Sequence, residues 1–358
     1  MSGKYTRIHL KEIDSTLDEA ARRVRDAEDD GVFSLVITAD AQTAGRGRSG
    51  KSFATLRGDS VYMSVIRRLP EFARKGDMAG RETAAVGQEH NGDGSFCVAA
   101  AKEDTGEDKG DGSFCLANSE RQKEPSPLSS SLPPVKLFEF AGLTTMAAAV
   151  AVCRALGKVL PSEDTRKLGI KWVNDILFEG LKVCGILVEV VDSAVVIGVG
   201  VNINVPAEEI QKRHPEVRNI AGSVYMAQST VKVFPDLLAF EIIDAYERVV
   251  AEVCGGDRGD GFFCIAEFAR QKKPSPLSPS RQTGSSHFCH SGAPLLSIVE
   301  EYKSLEVTVG RNIAITRPGA TEPFLAKALG ITNSGGLVIA CADGRQEILV
   351  AGEVSIKH

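Results

Sequence analysis

A segment rich in glycine and arginine, Ala41 to Phe53 (AQTAGRGRSGKSF), lies between two apolar runs of the chain. These runs, Val32 to Ala39 and Ser60 to Ile66, contain many β-branched residues and predict two buried strands. Glycines let a backbone approach a ligand closely, and the arginines between them suit phosphate or carboxylate oxygens. The segment therefore predicts an anion-binding loop. A solvated turn or a basic patch for nucleic acid has the same composition.

The overall composition argues against a general nucleic-acid binder. The 358 residues carry a formal net charge of −5, with 25% charged and 43% hydrophobic residues, which is ordinary for a globular protein.

The N-terminal residues lack the apolar core of a signal peptide, and the chain has no run long enough for a membrane span, so we expect a cytoplasmic protein. The eight cysteines form no CxxC pair, which favours reduced thiols over disulfides.

Two segments interrupt the chain with a different composition and contain an internal repeat. Residues 110–131 recur with few changes as residues 259–280, and residues 92–97 begin a truncated third copy. Both segments are rich in Gly, Asp, Ser, Lys, Glu and Pro, so we interpret 88–134 and 255–293 as largely disordered surface inserts. They contain cysteines and histidines, but only His287, Cys289 and His290 are close together in the sequence. We therefore expect no metal site.

Apolar periodicity outside the inserts predicts an α+β fold followed by a small β-barrel. In the first part we expect strands in Tyr5 to Ile13 and Gly169 to Val173, and a hairpin of Lys182 to Val191 with Ala194 to Val201 that follows a turn at Glu179-Gly180. The expected helices begin at Thr16, with a Thr16–Glu19 capping box, and cover Leu143 to Leu160 (buried), Pro235 to Val253 and Leu295 to Tyr302. The barrel strands are predicted at Leu305 to Val309, Ile313 to Arg317, Phe324 to Ile331, Gly336 to Cys341 and Glu347 to Ile356.

Two further segments give the loop a context: Lys171 to Glu189 (KWVNDILFEGLKVCGILVE) and Ile197 to Asn204 (IGVGVNIN). Together with the loop, and in this order, they resemble the GRGRxGRxW-like loop, KWPND segment and GxxxN strand end of biotin protein ligases. The closing GEVSIK resembles the SH3-like C-terminal domain of the same ligases. The resemblance implies a class II synthetase-like mixed sheet with packed helices in 1–303 and an SH3-like domain in 304–358. About ten residues precede the first motif, so we expect no helix-turn-helix domain.

The resemblance also implies an activity, which is ATP-dependent biotinylation of a lysine on a biotin carboxyl carrier protein domain through biotinyl-5′-AMP. Biotin, ATP and Mg²⁺ are the implied ligands, and the anionic carboxylate and triphosphate need local cations. The implied catalytic residues are Arg48, Lys182 and Asp175, the last also as a candidate base for the acceptor lysine. The implied binding residues are Ser15, Thr16, Gln42, Arg46, Gly47, Arg48, Lys51, Lys171, Trp172, Asn174, Lys182, Gly185 and Asn202.

The chain departs from the family pattern at Leu17 (Asn in the family), Lys51 (Arg), Phe53 (Trp) and Val173 (Pro). Several implied site residues also have structural explanations: Ser15 and Thr16 as helix caps, Asn174 and Asp175 as a turn, and Trp172 as a core residue. Two rival functions stay open, a lipoate or octanoate ligase-transferase of the same fold and a degenerate protein that binds biotin without turnover. The sequence leaves open whether the chain forms a homodimer.

Overall fold

The computed structural model describes residues 5–26, 34–48, 60–68, 137–192, 194–217, 220–224, 232–253, 293–317 and 319–357. Lys51 and Phe53 of the Gly-Arg loop lie outside these residues, as do residues 88–134 and 255–292 of the two inserts. The expectations for those positions stay predictions.

The described residues form a mixed sheet, a set of helices and a second, antiparallel sheet. The strands of the first sheet are β1 Thr6–Leu10, β2 Ser34–Ala39, β3 Ser60–Arg68, β4 Leu168–Lys171, β5 Asp175–Phe178, β6 Leu181–Val191 and β7 Ala194–Asn202. The helices are α1 Thr16–Asp26, α2 Leu137–Val159, α3 Ser162–Thr165, α4 Ala207–Arg213, α5 Pro235–Val253 and α6 Ala293–Leu305. The second sheet contains β8 Asn312–Thr316, β9 Phe324–Ile331, β10 Leu337–Cys341, β11 Gln346–Leu349 and β12 Glu353–Ile356.

Within the described residues, the first sheet has seven strands in the order β1-β2-β3-β7-β6-β5-β4. Only β1 and β2 pair in parallel; the other neighbours are antiparallel. The C-terminal sheet has five antiparallel strands in the order β11-β10-β9-β8-β12. The prediction of a mixed α+β fold with an additional C-terminal β unit is confirmed.

Helices cover the two faces of the seven-stranded sheet unequally. On one face, α1 buries Leu17, Ala20 and Val24 against β2, β3 and β7, as its helical spacing of apolar residues predicts. On the other face, α2 packs with α5 and α6 over a larger apolar cluster. The window Ala141–Val159 of α2 is apolar and long enough to cross a membrane, but 72% of it is buried inside the molecule. Its apolar sequence is accounted for by its place at the centre of this core.

Arg154 connects the three helices that cover the larger core. Its guanidinium on α2 donates to Glu252 of α5 at 2.8 and 3.0 Å and to Glu301 of α6 at 2.9 and 2.6 Å. Paired carboxylates on two helices fit the planar fork of a single arginine. This contact fixes the relative positions of α2, α5 and α6 at the rim of the core.

Three local predictions are corrected by the structure. The cap of α1 is Ser15, whose hydroxyl accepts the N–H groups of Leu17 and Asp18 at 3.2 and 3.4 Å. Glu19 turns instead to the arginines of its own helix, so the predicted Thr16–Glu19 capping box does not form. Leu305 to Val309 is not a strand, because α6 continues to Leu305. The predicted strand Glu347 to Ile356 is divided into β11 and β12, with Gly352 between them at a φ of +135°.

The sequence analysis also missed β5. A turn was the structural explanation offered for Asn174 and Asp175; Asn174 lies in a turn, whereas Asp175 begins a strand that pairs with β4 and β6. The Glu179-Gly180 turn, at φ values of 51° and 82°, joins β5 to β6 as a tight hairpin. The four residues of β5 are too few for the period-2 pattern to be visible in the sequence.

The central position of α2 can be tested with a matched pair of substitutions. Leu156 of α2 is fully buried, so Leu156→Ala should lower the free energy of unfolding by about 2–5 kcal/mol in urea denaturation. Leu237→Ala makes the same change on α5 at a residue that is 51% exposed, and its effect should stay within about 0.5 kcal/mol. Equal losses in the two variants would contradict the packing described for α2.

Candidate active site

A group of glycines lies on the face of the seven-stranded sheet that carries α1. Gly198 of β7 pairs with Ser64 of β3. Two residues along β7, Gly200 pairs with Gly185 of β6. Leu17 of α1 packs beside them, since a Cβ atom on Gly198 would lie 2.9 Å from Leu17 Cδ1. Paired residues project to one face, and glycines within strands mark places where a ligand or another backbone approaches closely. Leu17 occupies the position above Gly198, whereas Gly200 and Gly185 carry no side chain that covers this face of β7 and β6.

Hydrogen-bonding side chains lie on the β3 side of these glycines; we call Thr16, Gln42 and Ser64 the polar cluster. Oε1 of Gln42 accepts the backbone N–H of Thr16 at 2.7 Å and the Thr16 hydroxyl at 3.1 Å. The Ser64 hydroxyl donates to Thr16 Oγ1 at 3.0 Å, and both residues are buried. The sequence analysis named Thr16 and Gln42 but missed Ser64. The signal that could have found it is a serine within an otherwise apolar buried strand.

An ion-paired group lies on the β5 side of the glycines; we call Lys171, Asp175 and Lys182 the charged cluster. Asp175 Oδ2 lies 3.0 Å from Lys171 Nζ, and Oδ1 lies 2.6 Å from Lys182 Nζ. Asp175 pairs with Gly185 and so projects to the same face as the glycines. Burial raises the pKa of this carboxyl, but Lys182 and Lys171 outweigh it and hold the pKa below its ordinary value. Asp175 is therefore an ionised counter-ion to two ammonium groups.

Arg48 of the Gly-Arg loop joins the charged cluster through Asn174. One guanidinium nitrogen donates to Asn174 Oδ1 at 2.9 Å, and another donates to the carbonyl of Gly352 in the C-terminal sheet at 2.6 Å. The Asn174 amide in turn donates to the carbonyl of Ile186 at 2.8 Å. Burial lowers the pKa of Arg48, although the Asp175 carboxylate acts in the opposite direction. The loop, the turn before β5 and the C-terminal sheet thus meet at one arginine, which stays charged.

A short segment, residues 220–224, connects Lys182 with Asn202 at the end of β7. The backbone of Lys182 is bonded on both sides, donating to Ile220 at 2.7 Å and accepting from Gly222 at 2.8 Å. The Asn202 amide donates to the Gly222 carbonyl at 3.1 Å. Gly222 lies so close to Leu181 that a Cβ atom would come within 2.6 Å of the Leu181 side chain. This close approach fixes Lys182 relative to Asn202.

The two loop arginines have different partners. Arg46 pairs with Asp18 of α1 and with Glu189 of β6, the latter at 2.6 Å. Burial raises the pKa of Glu189, and the Arg46 charge opposes this. The sequence analysis grouped Arg46 with Arg48 as anion-binding residues, but in the structure only Arg48 contacts the neighbours of the charged cluster.

Trp172 lies behind the charged cluster, in the apolar core of the C-terminal sheet. It is 2% exposed, packs in one cluster with Ile313, Ile339 and Leu349, and donates Nε1–H to the Gly335 carbonyl at 2.9 Å. The sequence left two roles open for Trp172, nucleotide contact and core burial. Its contacts in the structure are those of a core residue.

The remaining predicted residues have these places. Ser15 caps α1, Gly47 lies between the two loop arginines, and Gly185 of β6 pairs with Asp175. Lys51 lies outside the described residues.

Comparison with known families matches two regions of the chain. Residues 127–204 match the profile of the Biotin/lipoate A/B protein ligase family, and residues 308–357 match that of the Biotin protein ligase C terminal domain. The first region contains the whole charged cluster, and the second contains Gly352, which accepts from Arg48. These two regions of the chain are similar to the catalytic and C-terminal domains of biotin protein ligases.

Individual proteins show the same similarity. A "Biotin--[acetyl-CoA-carboxylase] ligase" of Mycobacterium tuberculosis is 39% identical over 71 residues, which are 19% of this chain and 26% of the relative. The matched region thus spans about a quarter of that relative's length. The biotin protein ligase of Aquifex aeolicus, solved with biotin and ATP, has a TM-score of 0.54 at 16% identity and covers 98% of both chains. The apo structure of the Aquifex aeolicus ligase gives 0.51 at 15% identity, over 99% of both chains. At these identities the solved structures support the fold of a biotin protein ligase.

The charged cluster makes a prediction about the titration of Asp175. Replacing Lys182 by Met removes the nearer ammonium group, so the pKa of the Asp175 carboxyl should rise. A carboxyl whose pKa is lowered by folding stabilises the fold above its unfolded pKa of about 3.9 and loses that contribution as pH falls through the folded value. The acid-induced loss of stability should therefore begin at higher pH in Lys182→Met.

Carboxyl-carbon NMR of Asp175 measures this pKa directly. Lys303→Met is the matched control, because Lys303 pairs with the exposed Glu300 on α6. An unchanged Asp175 pKa in Lys182→Met would contradict the ion pair.

Proposed function

We propose that this protein is an ATP-dependent ligase that attaches biotin to a lysine of a biotin carboxyl carrier protein domain through biotinyl-5′-AMP. The observation that carries the proposal is the order of residues across one sheet face. Ser64 on β3 belongs to the polar cluster, glycines follow on β7 and β6, and Asp175 on β5 belongs to the charged cluster. With strands about 4.8 Å apart, three steps give roughly 14 Å between the two ends.

Biotin fits this arrangement because its two ends differ chemically. Its bicyclic urea has both N–H donors and a carbonyl acceptor, which suit the hydroxyl and amide groups of Thr16, Gln42 and Ser64. Its carboxylate is at the end of an alkyl chain, which we propose lies over Gly200 and Gly185, where no side chain projects, with its charge beside Lys182 and Arg48. Lipoate and octanoate share the carboxylate but lack the urea, so the polar cluster favours biotin.

In the proposed first step, a biotin carboxylate oxygen attacks the α-phosphorus of ATP. The new oxygen–phosphorus bond forms as the bond from the α-phosphorus to the bridging oxygen breaks, and pyrophosphate leaves with that electron pair. Lys182, Lys171 and Arg48 supply positive charge where the two anions meet, and such fixed charges stabilise the transition state without reorganisation. Asn202, beside Ser60 and Gly222, is the proposed contact for the adenine.

Asp175 is better placed to orient the two lysines than to act as a base. Both of its oxygens are engaged by ammonium groups, and its pKa is below the ordinary value. An efficient general base has a pKa near the working pH. In the second step we therefore propose that the acceptor lysine attacks the acyl carbonyl as a neutral amine, AMP leaves, and the ammonium proton is lost to solvent.

Mg²⁺ is proposed to enter with ATP as part of the substrate. Within the described residues no group of three or more His, Cys, Asp or Glu side chains could hold a metal ion. The only carboxylate in the charged cluster is already neutralised by lysines. Oxygens of the triphosphate are the ligands that Mg²⁺ prefers in nucleotide sites. A carrier domain as partner, a homodimer and a cytoplasmic location are further proposals.

The proposal predicts exchange of labelled pyrophosphate into ATP that depends on biotin. Reversal of the adenylation step produces this exchange, so it requires no carrier protein. Lipoate and octanoate, run in parallel, should give no exchange above background. Exchange with lipoate but not with biotin would replace the proposal by its lipoate rival. No exchange with any acid, in protein shown to be folded, would favour the non-catalytic binding protein.

Two substitutions separate the proposed roles of the cations. Lys182→Ala should abolish exchange, because it removes the ammonium beside the reacting carboxylate and phosphate. Arg48→Ala should leave adenylate formation measurable but release biotinyl-AMP faster, because Arg48 holds the loop to Asn174 and Gly352. Single-turnover formation and filter-retention of labelled adenylate measure the two quantities. Full activity and full retention in both variants would contradict the assignment.

A further inference from the structure

The segment that carries the charged cluster is held from behind by residues far away in the sequence. The carbonyl of Ile170 accepts the Val307 N–H at 2.9 Å. The backbone N–H of Trp172 donates to Thr308 Oγ1 at 3.0 Å, and the Trp172 indole donates to Gly335 at 2.9 Å. The same segment carries the side chains of Lys171 and Asp175, which belong to the charged cluster, and of Asn174, which binds Arg48. The positions of these three side chains therefore depend on how the backbone behind them is held.

Tyr302 of α6 completes this set of contacts. Its hydroxyl donates to the Val173 carbonyl at 3.2 Å across a separation of 129 residues. The side chain is fully buried in the larger apolar core. Burial raises the pKa of this phenol well above its ordinary value, so the hydroxyl keeps its proton at neutral pH. A buried hydroxyl with one acceptor is a fixed contact.

We propose that Tyr302 and Thr308 are positioning residues for adenylation, which hold the 172–173 backbone so that Asn174 and Asp175 keep Arg48, Lys171 and Lys182 in place. The inference rests on the proposed function. Both residues hydrogen-bond to the backbone of this segment. Thr308 is fully buried and bonded to the Trp172 N–H, and Tyr302 acts through the next residue, Val173.

The consequence of losing these contacts follows from where Asn174 and Asp175 lie. Asn174 is the next residue after Val173, and its side chain joins Arg48 to Ile186. Asp175 sits between two ammonium groups at 2.6 and 3.0 Å, distances that a small backbone shift would lengthen. Displacement of a reacting geometry by about 1 Å can cost about 100-fold in rate. The polar cluster is built from α1, β3 and the residues after β2. The hydrogen bonds of Tyr302 and Thr308 lie in another part of the site, so their loss should leave the polar cluster in place.

The test uses variants that remove one hydrogen-bonding group each. Tyr302→Phe removes the donor to Val173, and Thr308→Val removes the acceptor for Trp172. Thr308→Ser keeps that acceptor. Tyr246→Phe is the matched control, since Tyr246 is a buried tyrosine of α5 in the same apolar core. Three quantities are measured in the full chain: biotin-dependent pyrophosphate exchange, the dissociation constant for biotin by calorimetry, and the pKa of Asp175 by carboxyl-carbon NMR.

In Tyr302→Phe and Thr308→Val we expect kcat/KM for ATP to fall by about tenfold or more, with biotin affinity unchanged. The Asp175 pKa should rise, because its ammonium partners are less closely held. Thr308→Ser and Tyr246→Phe should match the wild type in all three measurements. An Asp175 pKa that is unchanged in Tyr302→Phe and Thr308→Val, or that rises equally in Tyr246→Phe, overturns the inference. Absence of exchange in the wild type overturns the proposed function instead, while the Asp175 titration still decides the positioning role.

Discussion

The buried carboxylate of Asp175 and the ammonium groups of Lys171 and Lys182 are the interaction on which the candidate site depends. Taking a carboxylate out of water is costly unless opposite charges and hydrogen bonds compensate for the lost hydration. Here two cations compensate for one anion, and Arg48 adds a further positive charge through Asn174. The site therefore keeps an excess of positive charge within a chain whose net charge is −5. A local excess of this kind favours anionic ligands without making the whole surface attractive to nucleic acid.

That excess charge is maintained by both sheets of the protein. The seven-stranded sheet supplies the lysines and Asp175, while α6 and the C-terminal sheet hold the backbone behind them. Arg48 also connects the charged cluster to the C-terminal sheet, because it donates to the Gly352 carbonyl as well as to Asn174. Gly352 has a φ of +135°, and a Cβ atom there would lie 3.1 Å from the Thr316 carbonyl, so this position favours glycine. The C-terminal sheet is thus part of the site's scaffold.

The sequence predicted most elements of the fold because their apolar periodicity is strong. The helix Pro235 to Val253 was predicted with the bounds that the structure has, and the long apolar α2 was found with an N-terminus six residues too late. Short elements were missed or merged, as with β5 and the division of β11 from β12, because four residues carry too little pattern. The motifs placed Asp175, Lys182 and Arg48 correctly in one neighbourhood. They did not identify Ser64, Tyr302 or Gly352 as residues of the site, since these reach it through tertiary pairing.

One departure of this chain from the biotin protein ligase motifs that it resembles has a physical explanation on the α1 side of the sheet. Leu17 stands where those motifs have a polar residue, and its side chain lies in the apolar cluster between α1 and the sheet, against Gly198. The substitution therefore adds buried apolar surface under α1 without removing a member of the polar cluster. Arg46 acts on the same side, joining Asp18 of α1 to Glu189 of β6. Because Arg46 holds the loop at this point, Arg48, two residues later, lies within hydrogen-bond distance of Asn174 and Gly352. One loop thus uses its first arginine to fix its position and its second to complete the cationic end of the site.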